Sequence, residues 1–189
     1  VLDIKSGAIP IPVNKKYELL PWYYFPLVGQ SNNHPIVNNM NAVRCEFVSS
    51  IDTIGARGIK KTFLLSSSKY TRLLNTPVKI DIRSVFRKPN EALFNKSSIP
   101  VAVLLEGNFE SVFKNRLPPE MDSIRDIKFI DKCLKPNKMI VIADGDIIKN
   151  NVQKSSGKSY PLGYDIWTQQ TFGNKNFILN CVNYLCDNS

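Results

Sequence analysis

An α/β fold is predicted by three short apolar runs and one closing amphipathic helix. The runs are Thr62-Phe63-Leu64-Leu65, Val101-Ala102-Val103-Leu104-Leu105 and Met139-Ile140-Val141-Ile142-Ala143. Turn residues bound them: Ser66 to Ser68 after the first, Pro100 and Gly107 around the second, Asp144-Gly145-Asp146 after the third. Short, continuously apolar runs of this kind read as strands buried on both faces. Two buried faces call for helices over the sheet, hence α/β. The helix spans Asn174 to Cys186, with Asn174 as its N-cap after Gly173. Phe177, Ile178, Cys181, Val182 and Leu185 fall on one face of it, and Asn176, Asn180 and Asn183 on the other.

The remaining elements follow in order. Pro10 and Pro12 forbid a helix in residues 1–16, which read as an extended lead. Tyr17 to Val28 holds Trp22, Tyr23, Tyr24 and Phe25 between Pro21 and Pro26, and reads as strand or extended chain. Asn32 to Pro35 forms a turn, and Ile36 to Asn39 one helical turn. Arg44 to Val48 is a strand with a buried Cys45 or Phe47 face. Ile51 to Ile54 is a further strand, ended by Gly55 and Gly58. Asn151 to Ser159 is a polar connection, and no internal repeat is present.

The 189 residues, 43% hydrophobic and 22% charged, suit one globular domain spanning residues 1–189. No run reaches the roughly 18 apolar residues of a membrane span. The chain opens on Val1 without a signal segment, so it is expected to be a piece of a longer polypeptide whose targeting and anchoring parts lie elsewhere. The net charge is +9, from 25 Lys and Arg against 16 Asp and Glu. Arg57, Lys60 and Lys61 form one cluster, and Arg83, Arg87 and Lys88 another. Neither sits in a helix-turn-helix, a finger or an aromatic-basic RNA platform, so no nucleic-acid partner is expected. A basic surface facing a bilayer or a partner is expected instead.

Cys45, Cys133, Cys181 and Cys186 include no CxxC pair, which argues against a zinc or thioredoxin-like site. Cys181 and Cys186 rise about 7.5 Å and turn about 140° relative to one another on a helix, too far apart in direction to bridge. Free thiols are expected, with pairing of Cys45 or Cys133 left open. Cys181 reads as a small hydrophobe in the helix stripe.

The residues with chemical potential are few. Asp144 and Asp146 follow a strand end, where α/β proteins place ligands. They would suit an oxygen-preferring cation, but with no third acid nearby the turn reading is preferred and no metal is assigned. His34 is the lone histidine, so any Ser or Cys nucleophile would need it as base. There is no GxSxG elbow, and Cys45 lies between Arg44 and Glu46 without small neighbours. His34 is therefore expected to be structural. No phosphate-cradling glycine loop is present, so no cofactor is expected. Trp22, Tyr23 and Tyr24 serve either as core or as a binding surface for a sugar, a peptide or a subunit.

Several stretches together resemble one family. They are Leu20-Pro21-Trp22-Tyr23-Tyr24-Phe25-Pro26-Leu27, Asn33-His34-Pro35-Ile36-Val37, Ser50-Ile51-Asp52-Thr53, Pro100 to Gly107, Lys138 to Asp146, Leu162-Gly163-Tyr164-Asp165 and Phe172 to Phe177. In this order they resemble the outer region of the gliding-motility-associated ABC transporter substrate-binding or accessory protein G of Bacteroidetes, from about residue 10 onward. The resemblance implies a non-catalytic subunit on the periplasmic side of the inner membrane, anchored by segments outside this chain. Its partners would be the ABC permease and ATPase. It also implies a flavodoxin-like sheet similar to class I glutamine amidotransferases, with opening strands before residue 1. Two other functions stay open: a hydrolase or amidotransferase-like enzyme on the same fold, and a carbohydrate- or peptide-binding receptor. The binding candidates are Trp22, Tyr23, Tyr24, His34, Asp144 and Asp146.

Overall fold

The computed structural model describes residues 1–116 and 129–187. In chain order the strands are β1 (Leu2–Asp3), β2 (Ser6–Val13), β3 (Lys16–Gln30), β4 (Val43–Arg44) and β5 (Ile59–Ser66). They continue as β6 (Thr71–Arg72), β7 (Pro100–Gly107), β8 (Asn137–Ile142), β9 (Tyr164–Asp165) and β10 (Gln170–Thr171), before helix α1 (Asn174–Cys186). The main sheet has the order β2-β3-β5-β7-β8, with β4 also on β3. Two small ribbons, β1-β6 and β9-β10, are paired separately from it.

The first two long strands form a hairpin that the sequence reading divided into a lead and a strand. Asn14 and Lys15 take φ of 47° and 66°, the left-handed pair that a two-residue hairpin loop needs to match strand twist. Pro10 and Pro12 lie two apart, so both missing donors fall on one edge, and β2 ends the sheet order. The pairing is regular from Val13↔Lys16 to Ala8↔Pro21, then jumps to Ser6↔Pro26. Trp22 to Phe25 therefore stand opposite Gly7 alone, and the chain arches out of the ladder. A Cβ on Gly7 would come 3.3 Å from Arg44 Nε and 3.7 Å from Phe25 Cβ. Glycine leaves room for that crowding.

All three apolar runs lie in the one sheet, as β5, β7 and β8. Register runs Thr62↔Leu104 and Leu104↔Ile140, both antiparallel. Ala102 and Leu104 join Val28, Val37, Val43, Leu64, Phe177 and Cys181 in the core. Two expectations are corrected here. Strand β8 is an edge of the described sheet and alternates in exposure, with Met139 47% and Val141 39% exposed. Every described pairing is antiparallel, whereas a flavodoxin-like order needs parallel neighbours. A short apolar run specifies burial but not strand direction, which explains the difference. Ile51 to Ile54 forms no strand. Ile54 is 87% exposed, and its carbonyl accepts from Lys61 Nζ.

Helix α1 has the expected bounds but a different cap and stripe. Gly173 occupies the N-cap position without a side-chain cap, because a Cβ there would fall 2.3 Å from Asn41 O. Asn174 is spared for tertiary contacts: Arg44 N donates to its Oδ1 at 3.0 Å, and its Nδ2 donates to Arg44 O and Ile147 O. The buried positions are Asn174, Phe177 and Cys181, with Ile178 and Tyr184 packed beside them. Val182 and Leu185 are exposed, and Asn180 turns inward to donate to Ile36 O at 3.0 Å. The helix rotates toward its asparagines because the interior it meets includes carbonyls that need donors.

Phe177 fills the centre of the core with no exposed surface. Phe177→Ala is expected to cost about 3–5 kcal/mol. Val182→Ala, on the outer face of the same helix, is expected to change stability by no more than about 0.5 kcal/mol. Urea unfolding of both variants checks the pair.

Candidate functional site

The arch at Trp22 to Phe25 shapes two adjoining clefts. Because its backbone leaves the ladder, consecutive aromatics face different neighbours. Trp22, 5% exposed, packs on Tyr24 with ring centres 4.9 Å apart. Tyr23 meets Phe94 edge-on at 5.7 Å. Phe25 lies edge-on to Phe47 at 5.3 Å, with the Arg44 guanidinium 4.7 Å from its ring centre. The smaller cleft, about 300 Å³, is lined by Pro21, Trp22, Tyr23, Tyr24 and Phe94, with Arg72, Arg87 and Lys88 among its walls. The larger, about 610 Å³, runs from Tyr24 and Phe47 along Leu73, Leu74, Val78 and Ile80. Leu2, Tyr24, Leu74 and Val78 line both. Trp22 is thus core, and Tyr23 and Tyr24 are half-buried wall residues.

The other candidates do not converge on these clefts. Asp144 is buried, its Oδ2 accepting Glu46 N at 2.7 Å and its Oδ1 accepting Asp146 N at 2.8 Å. It caps the 3-10 turn Gly145–Ile148, so its oxygens serve the backbone. Asp146 is exposed and pairs with Lys149 at 3.4 Å. No group of three or more His, Cys, Asp or Glu able to hold a metal occurs among the described residues.

His34 opens the turn that carries Ile36 and Val37 into the core. Its carbonyl accepts Val37 N and Asn38 N, and its Nδ1 accepts Ile36 N at 3.3 Å. Its ring meets Tyr184 edge-on at 4.9 Å. Tyr184 donates to Glu106 Oε1 at 2.7 Å. That bond, with burial, pushes the phenol up to about 12. Burial holds the His34 imidazole below its usual value, with Glu106 pulling it up and Lys60 pushing it down. An Nδ1 engaged by a main-chain donor is poorly placed to act as a general base.

The four cysteines are free. Burial, and Asp144 beside it, push the Cys45 thiol far up; burial pushes Cys181 up to about 12. The basic clusters of the sequence separate. Lys60 pairs with Glu106 at 3.6 Å and Lys61 donates to Ile54 O, whereas Arg87 and Lys88 line the cleft. Arg72, Leu74, Val78 and Phe94 were not singled out from the sequence. Their signal is the mixing of cations with apolar residues between Lys69 and Phe94.

What the fold and clefts define is a sheet-dominated protein with an aromatic, basic-walled recess. A model of the family described as ABC-type uncharacterized transport system matches residues 1–181, and the chain belongs to that family. The family makes it an auxiliary component of an ABC-type transport system, with partners in the transporter complex. No curated protein and no solved structure matches the chain. No helix among the described residues is long and apolar enough to cross a membrane.

Two outcomes are expected here. Maleimide should label Cys186, which is exposed, first in the native protein, and label Cys45 and Cys181 only on unfolding. Peptide mass spectrometry over a time course reads this. The lowered His34 pKa favours the neutral ring in the folded state. Its contribution to stability is therefore full above the unfolded value of 6.5 and is lost as pH falls through the lower folded value. Urea midpoints between about pH 7 and pH 5 should fall less steeply in His34→Gln than in the parent.

Proposed function

We propose that the chain is a non-catalytic accessory subunit of a bacterial ABC transporter of the gliding-motility type. It acts by binding at the periplasmic face of the inner membrane, held there by membrane segments of the longer protein. The observation that carries the binding role is the recess at the arch. Half-buried Tyr23, Tyr24 and Leu74 and exposed Val78 present apolar surface beside the guanidinium and ammonium groups of Arg72, Arg87 and Lys88, a composition suited to a partner segment. Family membership supports the transporter setting. The lack of convergence of His34 with a nucleophile favours binding over the hydrolase or amidotransferase alternative. A flavodoxin-like or amidotransferase-like sheet would require strands beyond those described, and the outer edge of β8 is where they would add.

Affinity purification of the full-length protein from its native membrane is expected to bring down its permease and ATPase, and Val78→Asp with Ile80→Asp, both at exposed cleft positions, is expected to weaken that recovery without lowering the melting temperature. Recovery of neither subunit with the parent protein would refute the accessory role.

A further inference from the structure

Between Lys69 and Asn90 the chain carries six cations, Lys69, Arg72, Lys79, Arg83, Arg87 and Lys88, against the single carboxylate of Asp81. Asp81 is already engaged: Arg83 donates to it through Nε and Nη2, both at 3.1 Å. No Asp or Glu lines either cleft. Arg72, Arg87 and Lys88 make no ion pair among the described residues. Like charges gathered in a recess with low-dielectric walls reinforce one another's potential and attract anions. Between them the floor is aliphatic and aromatic.

We propose that the paired clefts receive an extended acidic peptide segment of a transport-complex partner, its apolar side chains in the recess and its carboxylates on Arg72, Arg87 and Lys88. This rests on the accessory-subunit reading above. A sugar is the poorer fit, because it stacks on open ring faces. Here Trp22 is covered by Tyr24, and Tyr23 packs against Phe94. A bilayer is also the poorer fit, since a lipid surface presents no protruding side chains to fill concave space. Alternating carboxylate and apolar side chains on an extended strand point to opposite sides, so such a segment presents both the charges and the apolar groups that the cleft lining calls for.

The probes are fluorescein-labelled twelve-residue peptides in which Glu alternates with Leu, in which Gln replaces Glu, and in which Lys replaces Glu. Anisotropy is read at low and high salt. The acidic peptide should bind, the Gln and Lys peptides should not, and added salt should weaken binding. Combined Arg72→Gln, Arg87→Gln and Lys88→Gln should weaken it about tenfold, from three solvent-accessible ion pairs. Removing the same charge elsewhere, by Lys154→Gln, Lys158→Gln and Lys175→Gln at exposed sites, should leave it within twofold. Equal loss in both triple variants, or binding of the Gln peptide as tight as the acidic one, overturns the proposal. So does binding to phosphatidylglycerol vesicles that depends on Arg72, Arg87 and Lys88 when the acidic peptide fails to bind. The Gln peptide keeps the test valid should a variant fail to fold. Recovery of permease and ATPase with the parent protein, with no binding of the acidic peptide by it, overturns this proposal alone. Specific peptide binding without permease or ATPase recovery supports the recess chemistry and overturns the accessory reading.

Discussion

Between Val43 and Val48 the chain runs through the middle of the molecule with its main-chain donors assigned alternately to two sides. Arg44 N and Glu46 N go to the side chains of Asn174 and Asp144. Cys45 N and Phe47 N go to Pro26 O and Tyr24 O on the arch of β3. The segment thus ties helix α1 and the end of β8 to the aromatic hairpin. Each buried donor needs its partner, since an unmade bond in the interior costs more than a made one contributes. The shape of the recess follows. The carbonyl of Tyr24 is fixed by Phe47, so the tyrosine ring has a defined place on the wall shared by both clefts.

The same dependence explains what was legible in the sequence. Phe63, Val103 and Ile140 announced strands because apolar character over a short run survives any choice of partner, and Phe177 and Cys181 announced a helix face by spacing alone. Strand direction did not show, because β5, β7 and β8 are joined by long connections whose composition says nothing of which way the chain returns. Asn174 and Asn180 were placed wrongly for a related reason. Periodicity assigns Asn180 to solvent and cap preference assigns Asn174 to the helix start, and only the positions of Ile36 and Arg44 reveal the buried carbonyls that these side chains serve.

The candidate site was half legible. Trp22 to Tyr24 stood out by density of aromatics. Their division into a buried ring and two wall rings depends on the mismatch with Gly7, which involves register and so lies beyond local pattern. Asp144 drew notice as an acid at a strand end and proved to be a cap. A carboxylate that satisfies Glu46 N and Asp146 N has the same sequence surroundings as one that awaits a cation. Of the cleft cations, Arg87 and Lys88 stood out as part of a basic cluster, whereas Arg72 lies apart from them in sequence and joins them only as a lining residue of the same cleft.

The arch has a mechanical consequence. The hairpin arm beyond Pro21 is held by a regular ladder, so tension on the Asn14-Lys15 tip peels its pairs apart one at a time. At the arch the ladder stops, and the bonds that follow, to Phe47 and Cys45, belong to a different neighbour. Separating the arm as far as the arch breaks only main-chain pairs between β2 and β3, whereas displacement of the arch itself also strains the bonds from Cys45 and Phe47.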